Sequence, residues 1–155
     1  MMNRIFALVF LAATMVAAPV FAEADGASVH AYSTPGVAGY DVVSYQTGEK
    51  PLRGNGNHIA VHEGVTYLFV NEANRKTFER DPGRYVPAFG GYCAYGVAVG
   101  KKFVGDPDVW AVVHGRLYLN LDTKIQQIWS EDVPGNIKTA NEKWSSIRDQ
   151  DPASL

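Results

Sequence analysis

The sequence predicts an α+β fold: a small single domain of two β-hairpin-plus-helix units in quasi-repeat, closed by a C-terminal helix. Three observations carry that prediction. "VHEGVTYLFVNEANRKTF" and "VVHGRLYLNLDTKIQQIW" share one grammar, a run rich in Val, Tyr, Leu and Phe split by a two-residue turn that ends in glycine, which is the hairpin signal. Their spacings agree: Gly64 to Tyr67 matches Gly115 to Tyr118, Gly64 to Phe78 matches Gly115 to Trp129, and the offset is 115 minus 64, or 51 residues. Finally, Ile137, Ala140 or Asn141, Trp144 and Ile147 recur at helical spacing in "PGNIKTANEKWSSIRDQ".

Taken in chain order, the first 22 residues combine Arg4, an apolar run from Ile5 and a Val20-Phe21-Ala22 cleavage pattern. This predicts a signal peptide over 1–22 and a periplasmic or secreted mature chain. The apolar run falls short of the roughly 20 residues a spanning helix needs, so no membrane span is expected after cleavage. Residues 23–38 read as a linker or flexible arm, 39–148 as the folded domain and 149–155 as a tail. Asn71 and Asp122 stand where N-caps of the two unit helices belong. Strand alternation places Trp110, Val112, Leu117 and Leu119 on the core face of the second hairpin. Transferring the register puts Ile59, Val61, Thr66 and Leu68 on the core face of the first. The last helix is expected to dock its Ile and Trp stripe on the sheet. The connection 82–107 is long for so small a domain, and long ordered connections are often functional.

Composition narrows the function. Cleavage removes Arg4 from 14 basic and 16 acidic residues, leaving 13 and 16, a net charge of about −3. That balance offers no basic face for nucleic acid. With one cysteine, no intramolecular disulfide can form, so Cys93 is free, buried or paired with another molecule.

"GVTYLFVNEANRKTFERDPGRYV" resembles the signature of the YHS domain family, through Gly64, Tyr67, Phe69, Phe78, Asp81, Pro82 and Tyr85. "GGYCAYGVAVGKK", "HGRLYLN" and "IWSEDVPGNI" are similar to an exported bacterial branch of it, so the likeness covers roughly 39–144. The resemblance implies a metal site in some relatives, built from cysteines at three places. Here those places carry Ser44, Val70 and Asn74. Neither a valine nor a neutral amide replaces a thiolate as a soft-metal ligand, so a tight Cys-rich site is not expected, and the cofactor stays unknown.

Among the histidines, His58 and His62 lie four apart on an expected strand, where the Cα atoms stand roughly 13 Å apart. A regular strand cannot bring both to one ion. They are expected on the face opposite the core, with Ala60, Val65, Tyr67 and Phe69 as neighbours. They and Cys93 are the weak metal candidates; His114 reads as a turn residue and His30 as part of the arm. For Cys93 three readings compete. Packing needs no partner, a ligand role needs Tyr92, Tyr95 or a histidine, and nucleophilic or redox catalysis needs a base or a positive field that "GGYCAYG" does not supply. Asp106 and Asp108 read as turn formers, and Glu131 with Asp132 as a solvated face. No nucleophile elbow, phosphate loop or HExxH is present. Tyr32, Tyr40, Tyr45, Tyr85, Phe89, Tyr92, Tyr95 and Phe103 fall outside the hairpins, in turns and loops that suit a pocket or an interface. The sequence therefore points to a non-enzymatic binding or accessory module for a small molecule or a periplasmic protein. Its candidate site is Tyr92, Cys93, Tyr95 and Tyr45; a thiol-dependent enzyme using Cys93 is the alternative.

Overall fold

The computed structural model describes residues 34–155; the expected signal peptide, positions 23–33 of the expected arm, Tyr32 and His30 lie outside the described residues. The architecture is mixed α+β. β1 (Asn55–His62) pairs antiparallel with β2 (Val65–Phe69), and β3 (Asp106–Val113) with β4 (Arg116–Asn120), as two separate two-stranded sheets. Both turns take positive φ at their two central residues, 49° and 74° at Glu63 and Gly64, 51° and 76° at His114 and Gly115. That is the type I′ turn, whose twist matches the strands it joins. Each ladder is bulged at the same place, between Asn55 and Ile59 and between Asp106 and Trp110. An Asx carboxyl or amide oxygen closes each bulge: Asn55 accepts from the Asn57 N–H at 2.9 Å, and Asp106 from the Asp108 N–H at 2.8 Å. The helices α1 (Glu72–Arg80), after β2, and α4 (Thr123–Ser130), after β4, start as expected. The side chains of Asn71 and Asp122 accept the N–H of Asn74 and Ile125, each at 2.8 Å, a cap worth about 1 kcal/mol.

The duplication runs further upstream than the hairpin spacing reveals. A left-handed turn over Gly36–Gly39, with positive φ at Val37, Ala38 and Gly39, has its twin over Ala88–Gly91, with positive φ at Phe89, Gly90 and Gly91. Tyr40 then bridges Arg53 as Tyr92 bridges Val104. The Asp41 N–H donates to the Leu52 carbonyl at 2.9 Å, and the Cys93 N–H to the Phe103 carbonyl at 2.8 Å. The long connection 82–107, with its helices α2 (Pro82–Tyr85) and α3 (Ala94–Ala98), therefore contains the second unit's own entry segment. Gly36, within the expected arm, packs closely on β2: a Cβ there would stand 2.6 Å from the Tyr67 ring and 2.9 Å from the Val65 side chain.

Packing corrects the expected faces. In the first hairpin the core side is Ala60, Tyr67 and Phe69, which join Val42, Phe78 and Tyr85, while Ile59 and Val61 are 45% and 47% exposed. The two aromatics decide it, because Tyr67 and Phe69 bury more apolar surface than Thr66 and Leu68 would. The second hairpin is covered on both sides. Leu117 and Leu119 pack with Tyr40 and Tyr45, and Tyr118 packs with Phe89 and Trp129 in the largest cluster. Register transfers between the units; the buried side does not.

The last helix, α5 (Val133–Ile147), is capped by Asp132, whose carboxylate accepts the Gly135 N–H at 3.0 Å, so Asp132 does more than decorate a solvated face. Ala140 and Ile147 are buried, with Ile137 and Trp144 beside them. The stripe is the expected one, but it docks chiefly on α3 rather than on the sheet. Its end is pinned by Lys102, whose buried ammonium donates to the carbonyls of Arg148 at 2.9 Å and Gln150 at 2.7 Å, with the Tyr92 ring at 4.9 Å. Cations at a helix C-terminus satisfy carbonyls that have no partner within the helix. Leu155 reaches back to the same cluster. No helix among the described residues is long and apolar enough to cross a membrane.

Candidate functional site

Cys93 is the N-cap of α3 and is 1% exposed. Its Sγ accepts the Gly96 N–H at 3.3 Å and lies 3.7 Å from Asn120 Oδ1. Gly96 allows this close approach, because a Cβ there would stand 3.1 Å from the Phe103 ring and 3.4 Å from the Cys93 Cβ. Asn120, fully buried at the end of β4, also accepts the Tyr95 N–H at 3.3 Å. It ties α3 to the second hairpin, and its Nδ2 has no partner among the described residues. Sequence reading passes over Asn120; the only signal is its polar type in a strand otherwise rich in Leu and Tyr.

The candidate residues divide between two faces of the second hairpin. Tyr92 and Tyr95 are half-buried on the side of α3 and α5. Tyr45 is fully buried on the other side, beside Leu117 and Leu119, and its hydroxyl donates to the Pro107 carbonyl at 2.9 Å. Burial is the first cause that pushes its phenol well above the ordinary range, with the neighbouring Tyr40, Asp108 and Asp106 adding to it. Tyr40 donates to the Asp108 carboxylate at 3.0 Å, which together with burial raises its pKa as well. Much of the aromatic content outside the hairpins is therefore core: Tyr40, Tyr45, Tyr85 and Phe89 are all buried.

In the first unit the residue equivalent to Cys93 is Asp41, also fully buried. Its carboxylate accepts three N–H groups, from Val43 at 2.9 Å, Val70 at 3.0 Å and the Asn74 side chain at 2.7 Å. Ser44 completes the cluster: its hydroxyl donates to the Asp41 carbonyl at 2.6 Å and accepts the Leu52 N–H at 2.9 Å. Ser44, Val70 and Asn74 thus meet around Asp41. What they converge on is a hydrogen-bonded carboxylate. A hydroxyl, a backbone N–H and an amide that donates are not a soft-metal donor set.

The histidines stand on the core side of β1, not opposite it. His58 Nδ1 is 3.6 Å from Glu72 Oε2. The Arg75 guanidinium bonded to Glu72, with Lys76 and His58 adding less, holds that carboxyl at about 2. His62 sits edge-on to Phe78, ring centroids 6.0 Å apart, and 3.9 Å from Glu63. Cys93 belongs to the other unit. Among the described residues no group of three or more His, Cys, Asp or Glu side chains could hold a metal ion.

An open groove of about 570 Å³ lies where the two units and α5 meet. Tyr67, Trp144 and Val86 give it apolar walls, His62, Arg116 and Arg148 line it with donors and Glu63 and Asp149 with carboxylates, and Gly36 and Gly90 lie along it. Burial raises the Tyr67 pKa, with Glu63 adding to it, so its hydroxyl stays protonated at neutral pH. Arg148 is paired with Asp149 at 3.0 Å. Arg116 donates to the Gly83 carbonyl at 3.0 Å and has no carboxylate partner among the described residues. None of the four candidate residues lines this groove. The signal that could have found it is the duplication itself, since a seam between two units is where pockets form. No protein-family model, curated protein or solved structure matches this chain.

Proposed function

We propose that the protein is an exported, non-enzymatic binding or accessory module of the YHS type, and that its ligand seat is the groove between the units. The observation that supports this most is the pairing in that groove of aromatic walls, Tyr67 and Trp144, with the Arg116 guanidinium, which has no carboxylate partner among the described residues. Such a set suits a small aromatic anion, the ring against the walls and the carboxylate or phosphate on arginine. A seat at Tyr92, Cys93 and Tyr95 is less favoured, because Cys93 is walled in.

The test is titration of the ¹⁵N-labelled protein with benzoate and phenyl phosphate, using benzylamine as the cationic control. Shift changes at Tyr67, Val86, Gly90 and Arg116, abolished in Arg116→Ala and absent with benzylamine, are expected. Changes centred on Tyr92 to Tyr95 would move the seat back to the segment named by the sequence. For the alternative, a thiol enzyme, the measurement is the labelling rate of Cys93 in the native protein. The binding-module reading expects labelling only on unfolding; a thiolate reactive at neutral pH would replace it with the enzyme reading.

A further inference from the structure

The charges that line the groove do not all cancel within it. Arg148 is neutralised by Asp149, whose carboxylate it meets at 3.0 Å. One cation and one anion remain, Arg116 and Glu63, contributed by different units. Arg116 opens β4, directly after the turn of the second hairpin, and its hydrogen bond goes to a backbone carbonyl, that of Gly83. Glu63 stands in the turn of the first hairpin with its side chain 85% exposed. Its one basic neighbour within 4 Å among the described residues is His62, at 3.9 Å, beyond hydrogen-bond distance. The negative pole is also felt at the aromatic wall, since Glu63 adds to burial in raising the Tyr67 phenol. Neither unit alone presents both poles; the seam between them does.

We propose that the ligand of this groove is an aromatic zwitterion of the α-amino acid class, its carboxylate on Arg116, its ammonium facing Glu63 and its ring against Tyr67 and Trp144. The proposal rests on the reading of the groove as the ligand seat and narrows what sits there. A plain aromatic anion answers Arg116 but brings a second negative group towards Glu63, and like charges repel. An aromatic amine answers Glu63 and opposes its own charge to Arg116. Only a ligand carrying both poles matches both residues. The two contacts differ in kind. A guanidinium takes a carboxylate through two parallel N–H donors, so Arg116 supplies the anchoring. Glu63 is exposed, and an exposed ion pair contributes little affinity, so its effect is a preference of about two- to fivefold for the ligand that carries the ammonium. Arg116 therefore decides whether a ligand binds, and Glu63 decides which one.

Three ligands built on one skeleton test this: L-phenylalanine, 3-phenylpropanoate, which lacks the ammonium, and phenethylamine, which lacks the carboxylate. Each is titrated at constant low ionic strength into the ¹⁵N-labelled parent and into Glu63→Gln. In the parent, phenylalanine should shift Glu63, Tyr67, Val86 and Arg116 and bind about two- to fivefold more tightly than 3-phenylpropanoate, with phenethylamine the weakest of the three. Glu63→Gln should erase the margin between the first two. Equal or tighter binding of 3-phenylpropanoate by the parent would overturn the zwitterion while leaving the groove as the seat of a plain anion. A margin that persists in Glu63→Gln would overturn the assignment of the ammonium to Glu63. If none of the three shifts the groove residues, the groove itself is not the seat, and this inference goes with it. Because the order of the ligands is read on the parent without any substitution, a variant that fails to fold does not spoil the test.

Discussion

Asp41 and Cys93 show how one position of a duplicated fold can be solved by different chemistry. Both are fully or nearly fully buried at the entry to their unit, and both donate a backbone N–H across the same ladder. Asp41 then gathers three donors on its carboxylate, whereas Cys93 caps a short helix with its sulfur. Replacing Asp41 by Ala leaves the half-buried Val43 and Val70 N–H groups and the Asn74 amide without this acceptor. Each orphaned group costs about 1–3 kcal/mol, so D41A should lower the unfolding free energy by about 3 kcal/mol or more, measured by urea titration. Asp41→Asn, which keeps one acceptor oxygen, should lose less. Little of this was legible beforehand. "YDVVSY" gives an aspartate among apolar residues, but the partners Val70 and Asn74 lie 29 and 33 positions away and only the fold brings them in.

At the level of elements, hairpins, turns and caps were legible because they rest on local rules. A two-residue turn ending in glycine and an Asx before a helix each act within a few residues. The buried face of a hairpin is a different kind of quantity, fixed by what lies against it. Ile59 and Val61 alternate as well as Ala60 and His62 do, and only the arrival of α1 with Phe78 chooses between them. The entry segments escaped notice for a related reason. Their twin signature joins positive φ at Gly39, Gly90 and Gly91 to positive φ at Val37, Ala38 and Phe89, and the last three are residue types that carry no turn signal. The close approach that follows them makes a checkable demand. A Cβ on Gly105 would lie 2.5 Å from the Leu119 Cβ and 2.9 Å from the Gly91 carbonyl oxygen. Gly105→Ala must push β4 away from the entry segment, and a loss of roughly 2–4 kcal/mol is expected, read as a fall in the thermal midpoint.

Across the whole molecule the buried tyrosines set an alkaline limit. Tyr40, Tyr45, Tyr67 and Tyr118 all have phenols raised above the usual value near 10, Tyr45 most of all and chiefly by burial. A raised folded-state pKa stabilises the native state fully below the unfolded value, and that contribution is lost as pH climbs through and beyond it. Stability should therefore be flat up to about pH 10 and then fall. The part of the tyrosinate absorbance at 295 nm that comes from these four phenols should appear together with loss of near-ultraviolet circular dichroism rather than before it. Tyr45→Phe should be less stable than the parent at pH 7, having lost its bond to the Pro107 carbonyl, yet lose less between pH 9 and 12. Parallel unfolding curves for both proteins would show that Tyr45 does not set the limit.

The crossing of Tyr40 and Tyr45 onto the second hairpin also orders events during synthesis. These two side chains leave the ribosome some 62 to 68 residues before the Pro107 and Asp108 groups that receive them. Until β3 and β4 emerge, the first unit can form its own hairpin and α1, but its entry segment has two large aromatic rings with nowhere to go. The nascent first half is thus a competent but unfinished piece. Its completion waits on distant sequence, and a ribosome stalled within residues 86–105 would leave it holding exposed tyrosines that invite chaperones.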